Sequence, residues 1–397
     1  MKVCWLVPDD QWGGVFPVSY EVCRQGRSSG HDVRLLMICA PANGALPGSG
    51  VPLESLYLTS YASTAPAAIL DWVAERGFDA LVLNCCGEAD PIPPYLPESI
   101  RCVYVVHNSP RRYWEPAVRH ERYIERIVAI SDYVAGIVRP CLRFPQRLVT
   151  IRNGSTYPEA PAGSVERPED LLFLGGEEPR KGAGDLLRMW SELARLQFKG
   201  RLHWCGQMSD AFKSRVSALP ATRQIVIHGR VPREKVFQLA AECKVLLMLS
   251  RAEAFGMVTI EAMSMGCLPV AWDIDTGTKE IAQPGIHGLF APMGDYRLLA
   301  RTVIEANAKQ SSLAAGITAR AREAFSVEHT WAGYEQSLCE VLTTPRLRRP
   351  LAGRTPPRLF SPPRPSQLLP PRLRMALKRA LHGNPRVAHM LNRYWGM

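Results

Sequence analysis

Short apolar runs alternate with amphipathic stretches along the first 343 residues, and this alternation predicts a fold of buried strands and covering helices. An apolar run of about four to eight residues between turn residues is typical of a buried strand, whereas apolar positions three and four apart indicate a helix. The predicted strands are 3–8, 32–38, 80–83, 102–106, 127–130, 148–151, 171–175, 202–205, 225–231, 245–249, 268–271 and 287–290. Strands that alternate with helices predict an α/β fold with parallel sheets.

The length indicates two domains of ordinary size. The chain has 397 residues, 46% of them apolar, which is enough for two hydrophobic cores. Residues 157–168 have the composition of a linker. We therefore expect domains at 1–157 and 169–343, followed by a basic tail at 344–397. Residues 41–66, which are rich in Pro, Gly and Ser, are expected to be loops.

The positive charge is concentrated in the tail. The 48 Lys and Arg exceed the 37 Asp and Glu by 11, and 12 of the basic residues but no acid lie after Thr344, so the preceding body carries about −1. A near-neutral body argues against a nucleic-acid-binding face. No apolar run approaches the roughly 18 residues that cross a bilayer. The 11 cysteines lack metal-ligand spacing, which favours reduced, buried thiols in a cytoplasmic protein.

The tail has two parts. Residues 345–370 are dominated by Pro and Arg, which predicts an extended segment. In 371–397, Leu373, Leu377 and Leu381 fall on one helical face flanked by Lys and Arg, and Trp395 follows near the end. Such a basic amphipathic helix favours contact with an anionic membrane surface, here the inner face of the membrane. A helix docked on the body and a disordered segment are the alternatives.

One stretch concentrates residues suited to binding a ligand. The predicted strand 245–249 leads into a loop with Glu253 and Gly256, and a helical pattern then carries Glu261. Ligands of open α/β sheets bind at the carboxyl ends of the strands. Amides at a helix start can receive a phosphate, and carboxylates accept hydrogen bonds from sugar hydroxyls. Acids that lie in solvent are the alternative.

Glu253 and Glu261, with Phe-Gly after the first and Glu-Ala-Met before a glycine, resemble the signature of the retaining glycosyltransferases of family 4 (group 1). The resemblance extends from about residue 1 to 343 and is strongest over 171–300. It implies the GT-B fold, in which two Rossmann-like domains face a cleft. It also implies transfer of a sugar, with retention, from a UDP- or GDP-linked donor to a hydroxyl of a glycan or lipid-linked acceptor. Bacterial polysaccharide or glycolipid synthesis is the expected setting, with no cofactor besides the donor and no metal.

The family's site residues carry over by position. The resemblance implies catalytic roles for Lys181 at the diphosphate, Glu253 at the transferred sugar and His107, which follows a strand of the first domain. It implies that Glu261 holds the ribose. The expected donor-binding residues are Gly14, Arg180, Gly229, Val231, Phe255, Gly256, Met257, Val258 and Glu261.

The main departure from the family lies at Gly176, which stands where the family has an arginine. Two cations offset the charge of a leaving diphosphate better than one, so the loss should slow transfer unless Arg180, the nearest guanidinium, compensates. A catalytically weak, glycosyltransferase-like partner protein is therefore one alternative. A nicotinamide-dependent enzyme is another, although the chain lacks G-x-G-x-x-G after its first strand.

Overall fold

The computed structural model describes residues 1–8, 14–38, 51–56, 64–84, 86–160 and 167–357. These residues form two compact units. The first comprises Met1–Asn153 together with the chain from Val327 onward, and the second comprises Gly154–Ser326. Each unit contains one parallel sheet covered by helices, as the alternating pattern predicts.

The sheet of the first unit has seven parallel strands in the order β3-β2-β1-β4-β5-β6-β7. β1, β4 and β5 are apolar and almost wholly buried, because helices cover both faces of a doubly wound sheet. The strands are β1 (Lys2–Val7), β2 (Asp32–Met37), β3 (Leu53–Ser55), β4 (Ala80–Asn84), β5 (Arg101–Val106), β6 (Arg126–Ala129) and β7 (Leu148–Thr150). The helices are α1 (Val15–Ser28), α2 (Ala65–Glu75), α3 (Glu115–Arg119), α4 (Asp132–Val138) and, from the end of the chain, α11 (Val327–Thr343).

The second unit repeats this architecture with six parallel strands in the order β10-β9-β8-β11-β12-β13. Its central strands β8 and β11 are apolar and buried. The strands are β8 (Leu171–Leu174), β9 (Leu202–Cys205), β10 (Ile225–Gly229), β11 (Val245–Met248), β12 (Leu268–Trp272) and β13 (Leu289–Ala291). The helices are α5 (Ala183–Arg195), α6 (Asp210–Ser217), α7 (Arg233–Glu242), α8 (Met257–Ser264), α9 (Gly277–Ile281) and α10 (Tyr296–Ala324).

The composition of residues 41–66 predicts loops, but part of this stretch is regular secondary structure. It contributes the edge strand β3, which pairs with β2, and it contains the start of α2. The strand is three residues long, which is too short for an alternating pattern to identify. The first unit therefore contains a strand that periodicity alone does not predict.

The predicted end of the second domain at residue 343 is wrong, because α11 belongs to the first unit. The Trp331 ring packs on α1 at Gly26, where a Cβ atom would lie 2.6 Å from the ring. The Tyr334 ring meets Trp5 of β1 edge to face, with centroids 4.8 Å apart. The chain thus returns to the first unit at Val327. Its earlier crossing follows Asn153, four residues before the predicted boundary.

The start of the tail is fixed to the first unit by a buried ion pair. The Arg349 side chain is 0% exposed, and its Nη2 lies 2.7 Å from Glu125 Oε2. The same guanidinium donates to the carbonyls of Ile100 and Tyr123. The expectation of an extended segment over 345–370 is therefore incomplete, since its first residues are anchored. The predicted amphipathic helix at 371–397 lies outside the described residues.

None of the helices in the described ranges is long and apolar enough to cross a membrane. Within those ranges, no group of three or more His, Cys, Asp and Glu is arranged to hold a metal ion.

Replacing Arg349 by alanine should leave the buried Glu125 carboxylate with Arg101 as its remaining cation, whose Nη1 lies 3.8 Å from Oε1. Loss of the closer partner should cost about 3–5 kcal/mol in the free energy of unfolding. Arg348, the exposed neighbour, provides the matched control, and Arg348→Ala should change stability by less than about 0.5 kcal/mol. Chemical denaturation of the full chain measures both values. Equal stabilities of the two variants would show that the tail is not anchored by this pair.

Candidate donor site

The predicted donor-site residues of the second unit follow the carboxyl ends of neighbouring parallel strands. The segment after β8 carries Arg180 and Lys181, the segment after β11 carries Glu253, and Gly229 ends β10. In a doubly wound sheet these ends form the edge at which ligands bind. The topology therefore brings together, at one edge of one sheet, segments that are separated along the sequence.

The turn before α5 is pressed against the end of β11. Gly182 caps α5 with a left-handed backbone, at φ +81°, and a Cβ atom there would overlap the Leu249 carbonyl. Both the dihedral angle and the close approach require glycine. Gly182 thus allows the segment that carries Lys181 to lie against the end of the neighbouring strand β11.

Hydrogen bonds then lock the two segments together. The Arg251 amide donates to the Arg180 carbonyl at 2.8 Å, and Arg180 Nη1 donates to the Ala252 carbonyl at 3.2 Å. The Arg251 guanidinium also forms a two-pronged pair with Asp185 in the first turn of α5, at 2.6 and 2.9 Å. The Tyr296 hydroxyl donates to the same carboxylate at 3.0 Å. Arg251 and Asp185 are structural partners that the motif does not reveal.

Lys181 and Glu253, two of the three predicted catalytic residues, form an ion pair. Lys181 Nζ lies 2.8 Å from Glu253 Oε2, and the side chains are 23% and 14% exposed. Arg180 Nη1 lies 3.9 Å from the same oxygen. Two cations therefore surround one carboxylate, and a phosphate that entered here would meet two positive side chains.

The segment after Glu253 ends at the start of α8. Gly256 caps this helix with a left-handed backbone, at φ +111°, and Met257 and Val258 are its first residues. The Gly277 amide donates to the Glu253 carbonyl at 3.0 Å, which fixes the loop against α9. Phe255 is buried and meets Phe325 edge to face, with ring centroids 5.8 Å apart. The loop is held on both sides, and the helix start carries the partial positive charge that favours a phosphate.

Two threonines border the same helix start. Cβ at Gly256 would lie 3.1 Å from Thr259 Oγ1 and 3.4 Å from Thr278 Oγ1. Thr259 is fully buried, and its hydroxyl has no hydrogen-bond partner within the described part of the chain. Sequence analysis missed both residues, since a threonine carries no signal on its own.

Glu261 lies on α8 and pairs with a residue that the sequence analysis did not select. Its Oε1 accepts a hydrogen bond from Arg233 Nε of α7 at 2.8 Å. Burial raises the pKa of the Glu261 carboxyl, and the positive charge of Arg233 opposes that rise. Arg233 is the first residue of α7, after a Val-Pro step, and nothing in that local pattern marks it as a partner of Glu261.

The structure explains why the arginine expected at Gly176 is absent. Cβ at that position would lie 2.9 Å from the Gln207 carbonyl oxygen, so a larger residue would push on backbone. Arg180, half exposed and beside Glu253, is the guanidinium that this chain has at the site.

Gly229 and Val231 lie at the end of β10 and in the turn that follows it. Gly229 has a left-handed backbone, at φ +69°, and its carbonyl accepts from the Gly206 amide at 2.8 Å. Val231 is partly buried and packs on a core cluster of the second unit. Their predicted contact with the nucleotide base stays a prediction.

In the first unit, His107 follows β5 and is buried against the end of β4. Its Nε2 lies 2.9 Å from Asn84 Oδ1, while Asn84 Nδ2 donates to the Leu6 carbonyl. Asn84 therefore accepts from Nε2–H, which leaves Nδ1 without the proton in the neutral ring. Burial lowers the pKa of His107 to about 4.

Gly14, the other predicted residue of the first unit, caps α1 with an ordinary right-handed backbone, so glycine is not required there for its φ angle. Its neighbour Gly13 lies outside the described residues.

Residues 159–324 match the family model described as glycosyl transferases group 1. The predicted resemblance to that group is therefore confirmed. The matched segment covers most of the second unit and carries Lys181, Glu253 and Glu261.

Two proteins with similar sequences are mannosyltransferases by name. The chain is 26% identical over 361 residues to the phosphatidyl-myo-inositol mannosyltransferase of Mycolicibacterium smegmatis, covering 78% of this chain and 85% of that one. It is 24% identical over 165 residues to the GDP-mannose:cellobiosyl-diphosphopolyprenol alpha-mannosyltransferase of Xanthomonas oryzae, covering 40% of this chain and 43% of that one.

Similar folds occur among solved structures. Anabaena HepE in complex with UDP superposes with a TM-score of 0.70 and 18% identity, covering 86% of this chain and all of that one. This likeness confirms the predicted fold class, GT-B.

Because burial depresses the pKa of His107, the histidine stabilises the fold above its unfolded pKa of about 6.5, and this contribution is lost as the pH falls towards 4. In His107→Gln that part of the pH dependence should disappear. Denaturation at pH 7 and pH 5 should show a stability difference between wild type and variant that shrinks on acidification. His329→Gln, at an exposed histidine, is the control; a difference that stays constant with pH would refute the buried neutral state.

Proposed function

We propose that the chain is a group 1 glycosyltransferase, which transfers a sugar, with retention, from a UDP- or GDP-linked donor to a hydroxyl acceptor. The observation that carries the proposal is the cluster of Lys181, Arg180 and Glu253 beside the start of α8. This arrangement joins two cations and a helix N-terminus to a carboxylate, which suits a sugar diphosphate.

In the proposed reaction the bond between the anomeric carbon and the diphosphate breaks, and a bond to the acceptor oxygen forms on the same face of the sugar. The departing phosphate oxygen takes the proton of the acceptor hydroxyl. Lys181, Arg180 and the amides of Phe255 to Val258 stabilise the charge that develops on the diphosphate. Arg180 supplies the positive charge that the family has from an arginine at the position of Gly176.

In this scheme Glu253 interacts with two partners, first with Lys181 and then with the transferred sugar. Its carboxylate accepts a hydrogen bond from Lys181 Nζ at 2.8 Å and neutralises the lysine's charge. When the diphosphate provides a stronger counter-charge for the lysine, Glu253 is released to accept hydrogen bonds from the hydroxyls of the transferred sugar. Glu261 accepts from the ribose in the same way, through the oxygen that Arg233 Nε does not engage.

The acceptor is proposed to be a lipid-linked or glycan hydroxyl. This part rests on the relatives, whose names specify phosphatidyl-myo-inositol and a diphosphopolyprenol as acceptors. The basic residues of the tail suit contact with anionic lipids at the membrane surface that carries such acceptors.

A panel of UDP- and GDP-sugars tests the activity directly. Nucleotide release should occur with one donor, rise when the acceptor is added, and yield a product whose anomeric configuration, determined by NMR, equals that of the donor. An inverted product would refute retention. A protein that binds nucleotide but releases none would be the catalytically weak partner instead.

Lys181→Ala should lower turnover by about a hundredfold, by analogy with the loss of one preorganised charge-stabilising group. The matched control is Lys199→Ala, since Lys199 is exposed in the connection between α5 and β9, at the opposite edge of the sheet. Initial rates at saturating donor give the comparison. If Lys181→Ala turns over like the control, Arg180 carries the diphosphate alone.

Glu261→Gln should weaken binding of the donor nucleotide, because a hydrogen bond to a charged group is worth about 1.5–3 kcal/mol. Calorimetry with UDP and GDP measures the loss. Glu234→Gln, an exposed carboxylate on α7, should bind like wild type. Unchanged affinity in Glu261→Gln would remove Glu261 from the donor site.

A further inference from the structure

Arg233 holds the Glu261 carboxylate from one side. The two side chains reach each other from the first turn of α7 and from α8, with Nε 2.8 Å from Oε1. Glu261 is 12% exposed, and Arg233 is the charged group that acts on its carboxyl. A buried carboxylate without such a partner is costly to keep ionised.

The guanidinium is itself anchored independently of Glu261. Its Nη2 donates to the Ser155 hydroxyl and, at 3.1 Å, to the Thr156 carbonyl. Arg233 Cζ lies 5.1 Å from the centre of the Phe237 ring, one turn further along α7. Because the planar guanidinium has its donors in a fixed fork, holding Nη2 fixes the direction in which Nε donates.

The anchor lies where the chain enters and leaves the second unit. Ser155 is buried and follows the crossing into that unit, and its amide donates to the Phe325 carbonyl at 3.0 Å, just before the crossing out. The Tyr157 hydroxyl donates to the same carbonyl at 2.7 Å. Phe325 also packs on Phe255 of the donor loop. The two segments therefore form a fixed base that reaches the donor site through Arg233 and through Phe255.

We propose that Arg233 is a positioning residue for the donor nucleotide: anchored on Ser155 and Thr156, it engages one oxygen of Glu261 and keeps the ionised carboxylate available to the ribose hydroxyls. This inference rests on the proposed function, in which Glu261 binds the ribose. Replacing Arg233 by a neutral residue would leave the buried Glu261 carboxyl without this cation. The protonated form of Glu261 would then be favoured up to a higher pH. Ribose binding would lose a charged acceptor although Glu261 is still present.

The experiment is a pH series of UDP and GDP affinities by calorimetry for wild type, Arg233→Met, Glu261→Gln and the double variant. Arg233→Met should shift the pH at which affinity falls upward by about 1–3 units, the size of effect that an adjacent opposite charge has on a carboxyl pKa. At neutral pH its affinity should drop about tenfold, or about 1.4 kcal/mol. In the Glu261→Gln background the same change should have little further effect, because Arg233 acts through Glu261.

Matched variants separate positioning from support of the fold. Arg223→Met, at an exposed arginine just before β10 and thus at the opposite edge of the sheet, should leave both affinity and its pH profile unchanged. Ser155→Ala removes one anchor and should weaken nucleotide binding by about threefold, as expected for the loss of one ordinary hydrogen bond. If Arg233→Met does not fold, Arg233→Lys takes its place. It keeps the charge but not the fork, so affinity should fall without a shift of the pH profile.

The outcomes distinguish the possibilities. A pH-independent loss of affinity in Arg233→Met that adds fully to that of Glu261→Gln would overturn the positioning role and leave Arg233 as a support of the fold. Equal affinity and pH profile of wild type and Arg233→Lys would show that charge alone suffices and would overturn the role of the anchored fork. Absence of UDP and GDP binding by wild type would instead contradict the proposed function, on which this inference depends.

Discussion

The contact between the turn at Gly182 and the Leu249 carbonyl constrains the whole donor site. It brings the segment that carries Lys181 against the segment that carries Glu253, and no residue with a Cβ atom fits between them. The hydrogen bonds of Arg180 and Arg251 and the pair with Asp185 then hold that approach. The 2.8 Å distance between Lys181 and Glu253 is a consequence of backbone packing more than of their mutual attraction, since partly exposed ion pairs contribute little by themselves.

The two carboxylates of the candidate site have cationic partners within the second unit. Glu253 is paired with Lys181, and Glu261 is paired with Arg233. An anionic ligand must compete with Glu253 for Lys181, so part of its attraction to the lysine is offset by the loss of the internal pair. In the proposed function, the diphosphate replaces Glu253 at Lys181, while Arg233 stays in place.

Periodicity and motifs predicted most of this architecture. Apolar runs located both sheets, because buried parallel strands are continuous in their hydrophobicity. The resemblance of the segment with Glu253 and Glu261 to a family signature indicated the candidate site. The three-residue strand β3 was missed because it is too short to show a period. The return of α11 to the first unit was missed because its partners, Trp5 and Gly26, lie about 300 residues earlier. Arg233 was missed because its contact with Glu261 depends on how α7 and α8 pack, which the local pattern of either helix does not show.

The return of α11 and Arg349 to the first unit has a consequence for biosynthesis. The second unit is one continuous segment, so all of its residues leave the ribosome before α11 does. The first unit lacks Trp331, Tyr334 and the closer of the two cations beside Glu125 until the chain has grown past Arg349. The first unit therefore cannot complete its core near α1 or the pairing of its buried carboxylate until after the second unit has been synthesised. The second unit, although it begins later in the chain, is the first that can complete its fold.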